Sequence, residues 1–297
     1  MRGLFESLGV ALVTPFANKE IDYDSLKHIV NLHIKMGTNA IIILATTGEG
    51  STITSKERIN IIKFCKNLIR DRAKLIVGCG HNNFNTCYEN VSMAKCLGAD
   101  GALVVTPYYN KTTQKGIVNY YDLLSKIEFP LIMYNVPSRT GLNIELDTVE
   151  EIIKTNPYIY GIKESTTDID RIMRLCRICK DKIPVYSGED ALNYIFYCLG
   201  GKGTISVTAN VLPNKVAEVY KNVKEGKIIE ALNLQNKLLN LNDTMFIETN
   251  PIPVKGLMKQ LGLIKSDEVR LPLINLQQEN QQKVNNIAKT LRDDFTI

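Results

Sequence analysis

The 297-residue chain has no tryptophan, only three histidines and no run of 18 or more apolar residues. Without such a run, no membrane-spanning helix is indicated. His28, His33 and His81 are scattered, and none belongs to an H-E-x-x-H or comparable ligand set, so no metal site is expected. The N-terminal stretch lacks a small-residue cleavage site and is interrupted by Glu6, so a cytoplasmic protein without a signal peptide is expected. A strong excess of either charge is also lacking: 36 Lys and Arg stand against 31 Asp and Glu, a net +5 scattered along the chain. One of the denser basic stretches, Arg171, Arg174 and Arg177, is flanked by Asp170 and Asp181, and the concentrated stripe that nucleic acid requires is not seen. Seven cysteines, an odd number without a secretory signal, indicate free thiols in a reducing compartment. Cys176 and Cys179 have C-x-x-C spacing, but the pair stands alone inside a probable helix and reads as buried small side chains.

What the chain does contain, at 44% hydrophobic residues, is enough apolar material for a large core. Short apolar runs at 9–13, 40–44, 74–77, 101–105, 130–134, 158–163, 184–187 and 203–206 read as strands. Helical periodicity covers 25–36, 55–70, 85–97, 113–127, 145–154 and 168–180. Near-continuous apolar strands alternating with helices predict a parallel sheet covered by helices, and eight such units match a (β/α)8 TIM barrel. A doubly wound open sheet is disfavoured, because the first run passes into Thr14-Pro15 rather than G-x-G-x-x-G. Residues 1–225 are therefore assigned to a barrel and 226–297 to a C-terminal helical region packed on it, with helices at 227–241, 253–261 and 276–291.

In such a barrel, chemistry belongs at the C-terminal ends of the strands. The second run ends in Thr46-Thr47-Gly48-Glu49-Gly50-Ser51-Thr52, whose hydroxyls and exposed N–H groups suit a carboxylate. Thr54 followed by Glu57 reads as a capping box for the next helix. Tyr108, Tyr109 and Tyr134 lie at strand ends, and a phenol can pass protons along a chain of hydroxyls. Arg139 follows a Pro-stiffened loop and suits bidentate carboxylate binding. Lys163 ends the sixth run, where burial disfavours an ammonium and leaves the free amine that attacks a carbonyl. Gly161 is expected to leave space beside that lysine, and Gly188 and Gly203 to let a small ligand approach the backbone. Glu189 and Asp190 would repel phosphate.

Taken together, Thr46-Thr47-Gly48-Glu49, Thr106-Pro107-Tyr108-Tyr109-Asn110, Tyr134 to Gly141 and Gly161-Ile162-Lys163-Glu164 give the chain a clear affinity. In this order they resemble the dihydrodipicolinate synthase family of pyruvate-dependent Schiff-base lyases. The resemblance continues through Asn250-Pro251-Ile252-Pro253-Val254-Lys255 to Leu271-Pro272. It implies that Lys163 forms an imine with pyruvate and that the derived enamine attacks L-aspartate 4-semialdehyde. Tyr134 would be the principal acid/base group, with Thr46 and Tyr109 completing a proton relay, Tyr109 serving a neighbouring subunit's site. Arg139 would hold the semialdehyde carboxylate, and Thr47, Gly188 and Ile205 would bind pyruvate. No cofactor is implied, since the lysine supplies the electron sink. A homotetramer built as a dimer of dimers is implied, with only small-molecule substrates otherwise as partners.

In one respect the chain departs from lysine-inhibited members, which carry histidines after the Thr-Thr-Gly-Glu loop and a glutamate after the third strand. Ser55, Arg58 and Thr86 stand at the matching positions, so weak or absent feedback by L-lysine is expected, with Arg58 repelling its ammonium. Two other readings stand beside this one. An aldolase for sugar acids, such as N-acetylneuraminate lyase, shares the lysine and tyrosine, but Thr46-Thr47 with Pro137-Ser138-Arg139 favours a short carboxylated aldehyde. A non-catalytic keto-acid sensor predicts a broken relay, whereas the four catalytic candidates Lys163, Tyr134, Thr46 and Tyr109 are all present.

Overall fold

The computed structural model describes the backbone of residues 1–295 and side chains as far as Arg292. Eight strands form a closed barrel: β1 (Ser7–Ala11), β2 (Ala40–Ile43), β3 (Lys74–Gly78), β4 (Gly101–Val105), β5 (Leu131–Asn135), β6 (Ile159–Glu164), β7 (Val185–Ser187) and β8 (Gly203–Ser206). All neighbours are parallel, and closure comes from β1 pairing with β8 through Ser7↔Gly203 and with β2 through Gly9↔Ala40. The expected (β/α)8 barrel is thus observed.

The strands are apolar throughout because both of their faces are buried. On β2, Ile41 and Ile43 face the helices, whereas Ile42 joins Ile76, Leu103, Ile132, Tyr186 and Ile205 in a separate inner cluster. This alternation follows from the two-residue period of a strand. At the barrel's N-terminal end, Phe5 stacks on Tyr186 with ring centroids 4.2 Å apart, and the Tyr186 hydroxyl donates to the Phe5 carbonyl at 2.8 Å.

The first strand lies two residues earlier than its apolar run suggests. Leu12 N still donates to the Ile42 carbonyl at 2.9 Å, but Val13 N turns to a side chain, Asn210 Oδ1, at 3.1 Å, and there the barrel ladder ends. A small hairpin, Phe16–Ala17 with Glu20–Ile21, and helices Asn193–Cys198 and Pro213–Lys224 add to the expected elements. The C-terminal region contains helices Ile228–Thr244, Ile252–Gln260 and Gln278–Phe295. It lies against the barrel's C-terminal end, where buried Gln235 and Asn242 donate to the Asp190 carbonyl at 3.0 and 3.2 Å. Among the described residues, no helix is long and apolar enough to cross a membrane.

Candidate active site

Tyr134 and Lys163 are paired residues on β5 and β6, and both point into the barrel. Lys163 Nζ lies 4.5 Å from the centre of the Tyr134 ring, and both residues are buried. Space for the lysine comes from Gly188, where a Cβ would stand 2.8 Å from Lys163 Cε and 2.1 Å from Ser165 Oγ. Gly161 does not have the role expected of it. A Cβ there would meet the Tyr186 ring at 2.8 Å, so this glycine admits the aromatic layer below the lysine. Ile205 is buried on the same inner surface. Burial and the neighbouring Asp190 push the Glu189 carboxyl above its usual range, and the Lys163 charge opposes them.

The turn after β2 folds back on its own strand. Glu49 N donates to the Thr46 carbonyl and Gly50 N to the Ala45 carbonyl, both at 3.1 Å. A Cβ at Gly50 would stand 1.9 Å from the Leu44 carbonyl oxygen, so only glycine permits this approach. Thr47 is buried, and its hydroxyl accepts from Asn250 Nδ2 at 2.9 Å. Glu49 is also buried, accepting from Lys255 Nζ and, at 2.9 Å, from the Arg270 backbone N–H. Lys255 Nζ lies 4.1 Å from the centre of the Phe16 ring; burial lowers its pKa to about 8 despite the Glu49 charge. The Thr54–Glu57 capping box is present, and Arg270 holds the Glu57 carboxyl down to about 2. These contacts fasten the threonine-bearing turn to the C-terminal region.

A cavity of about 320 Å³ opens at this end of the barrel. Its wall brings together Thr46, Tyr134 and Arg139, with Tyr108, Asn250 and Arg58 around them. Lys163, Gly188 and Ile205 are not part of that wall; the lysine reaches it through its contact with Tyr134. Arg139 is exposed on the short helix Pro137–Thr140 at the mouth. Tyr109 is 92% exposed, adopts φ 71° and lies outside the cavity, so it does not join Thr46 and Tyr134 within one chain.

Arg58 does more than the repulsion expected of it. It is buried, donates to the Gly78 carbonyl at 2.8 Å and the Gly50 carbonyl at 3.1 Å, and thereby braces the turn after β2. Ser55 is exposed in the first turn of helix Ser55–Ile69, and the Thr86 backbone N–H is 3.4 Å from the capping Asn83 Oδ1. Cys176 and Cys179 are buried in helix Ile169–Cys179, and burial pushes the Cys176 thiol up to about 11. Sequence reasoning overlooked the roles of Asn250, the Glu49–Lys255 pair and the Asn135–Glu164–Arg171 cluster. Their one signal was a charge inside otherwise apolar stretches, Lys255 in Ile252–Met258 and Glu164 ending β6.

The chain matches the model of the dihydrodipicolinate synthetase family over residues 4–291. It is 43% identical to the 4-hydroxy-tetrahydrodipicolinate synthase of Thermodesulfovibrio yellowstonii, across 97% of this chain and 98% of the relative. The crystal structure of the Aquifex aeolicus dihydrodipicolinate synthase superposes with a TM-score of 0.94 at 38% identity, covering 97% of this chain and 98% of that one. That of the Acinetobacter baumannii enzyme, complexed with pyruvate, gives 0.92 at 40% identity over 96% and 98%. A match over nearly the whole length, on a barrel whose fifth and sixth strands bring a tyrosine against a buried lysine, shows that the chain belongs to the dihydrodipicolinate synthetase family.

Proposed function

We propose that the chain is a 4-hydroxy-tetrahydrodipicolinate synthase, a lyase that condenses pyruvate with L-aspartate 4-semialdehyde on the route to diaminopimelate and lysine. The observation that carries this reading is the buried Lys163 amine against Tyr134, beneath a cavity whose mouth holds Arg139. The amine adds to the pyruvate ketone and loses water to form an imine. A proton then leaves the pyruvate methyl group to give an enamine, whose carbon attacks the semialdehyde aldehyde. Attack of the semialdehyde amino group on the imine closes the ring and releases Lys163. Tyr134 moves the protons of addition and dehydration, with Thr46 on the same wall. Tyr109, exposed and outside its own cavity, acts in the site of a second subunit. This role requires at least a dimer, and a dimer of dimers is the assembly proposed.

Pyruvate is held by Thr47, the Gly188 backbone and the Ile205 wall, and Arg139 takes the semialdehyde carboxylate. Neither a metal nor an organic cofactor enters this scheme, and the enzyme works in the cytoplasm. The braced Arg58, with Ser55 and Thr86, makes L-lysine a poor inhibitor; half-maximal inhibition at sub-millimolar lysine would contradict this. The central test is reduction with borohydride in the presence of pyruvate, followed by peptide mass spectrometry. A pyruvate-derived adduct on Lys163, together with turnover of aspartate semialdehyde, is the expected result. An adduct confined to other lysines would remove Lys163 from its role. Trapping without turnover of the semialdehyde would leave the imine and reassign the second substrate.

A further inference from the structure

Consecutive residues of a strand point to opposite faces. Tyr134 and Lys163 face the barrel interior, so their successors Asn135 and Glu164 face outward, and these two are also paired across β5 and β6. Behind the inner pair lies a closed polar cluster. Asn135 Nδ2 donates to both Glu164 carboxylate oxygens, at 2.9 and 3.1 Å. Arg171, at the start of helix Ile169–Cys179, donates to Glu164 Oε2 from Nε at 3.2 Å and from Nη2 at 2.8 Å. Both ends of the cluster then bind Ile144: Asn135 Oδ1 accepts from its N–H at 3.0 Å, and Arg171 Nη2 donates to its carbonyl at 2.8 Å. Glu164 is fully buried.

The β5–β6 ladder needs such a fixture. Its register shifts between Leu131, opposite Ile159, and Ile132, opposite Gly161, so Tyr160 has no partner. A slip of one residue turns every side chain of a strand to the other face, which would place Lys163 outside and Glu164 inside. Backbone hydrogen bonds alone are similar in either register; the Asn135–Glu164–Arg171 contacts exist in only one.

We propose that Glu164, gripped by Asn135 and Arg171, is a positioning residue that fixes the β5–β6 register and thereby sets the Lys163 amine against Tyr134. This inference rests on the reading of Lys163 as the Schiff-base nucleophile, and predicts an effect on chemistry beyond an effect on stability. Arg171→Met and Arg171→Lys are compared with the wild-type chain, using borohydride-trapped pyruvate on Lys163 to count competent sites. Turnover per trapped site should fall about 10- to 100-fold in Arg171→Met, the order that a displacement near 1 Å produces. The pyruvate KM should move less, and Arg171→Lys should recover part of the loss. Arg171→Met leaves Glu164 buried without its cation, at a cost to folding, so the neutral double variant Glu164→Gln/Arg171→Met is measured alongside and should show the same loss per site. Wild-type turnover per trapped site in the folded variants would overturn the positioning role and leave the Schiff-base reading intact. Failure of the wild-type chain itself to trap pyruvate on Lys163 would overturn both.

Discussion

Two buried ion pairs flank the candidate site, and they differ in how far along the chain they reach. Arg171 and Glu164 are 2.8 Å apart, with side chains 9% and 0% exposed, and are separated by only seven residues. Lys255 and Glu49 are as deeply buried but 206 residues apart. The first pair closes one strand–helix unit and bears on the register of two strands. The second ties the C-terminal helical region to the turn that carries Thr46 and Thr47. Taking such charges out of water costs several kcal/mol per ion, so neither pair is explained by stability alone. Each fixes one geometry where a neutral pair of side chains would tolerate several. The short-range pair orients a side chain, and the long-range pair orients a loop.

That comparison can be broken first at its long end. Lys255→Met should cost about 3–5 kcal/mol in urea unfolding, since Glu49 would keep the Arg270 N–H but lose its charged partner. The same variant should lose turnover through release of the Thr46–Thr47 turn; wild-type stability would show that the pair anchors nothing. Arg171→Met should cost about 3 kcal/mol, the lower end of the same range, because Glu164 keeps both contacts to Asn135. If it proves costlier than Lys255→Met, the order of the two pairs reverses.

His33 lies outside both pairs and supplies a reference. Its ring is buried beside the Thr38 hydroxyl, and burial lowers its pKa from 6.5 to about 3. The unfolded chain therefore takes up a proton that the folded one declines, and stability falls as pH drops from 6.5 toward 3. Between pH 6.5 and 5.5 the loss should be about 1 kcal/mol, and His33→Gln should flatten that part of the profile. The smallest effect is expected at Glu57–Arg270, the more exposed contact of the C-terminal clamp, with side chains 19% and 18% accessible. Glu57 is held at about 2, below its unfolded value near 4.5, so its contribution is present above pH 4.5 and disappears as pH falls toward 2. Glu57→Gln should cost no more than about 1 kcal/mol at pH 7. A larger loss would make this contact, rather than Glu49–Lys255, the main anchor of the turn.

The barrel was legible because its strands are buried on both faces, and eight apolar runs of the right length leave few alternatives. The Thr54–Glu57 capping box was legible because it spans one helical turn. Lys163 stood out as a charge closing an apolar run, and Tyr134 as a phenol closing another. Glu49 and Lys255 were each visible, but nothing in the local pattern of either refers to the other. Gly161 shows the same limit: the sequence offers a small residue near the lysine, while the Tyr186 ring that occupies its space comes from the next strand.

What the sequence by itself determined is whatever repeats or closes within a few residues: strand and helix periodicity, the capping box, the glycine turn after β2, and which side chains fall at strand ends. Only the tertiary structure decided which strand ends meet around the cavity, that Gly188 makes room for the Lys163 stem, that Arg58 braces a turn, and that Tyr109 lies exposed outside the cavity. The physical reason is that periodicity is a property of the backbone, written in every residue. A contact between distant segments depends on closure of the barrel, which brings Ser7 beside Gly203 and Glu49 beside Lys255.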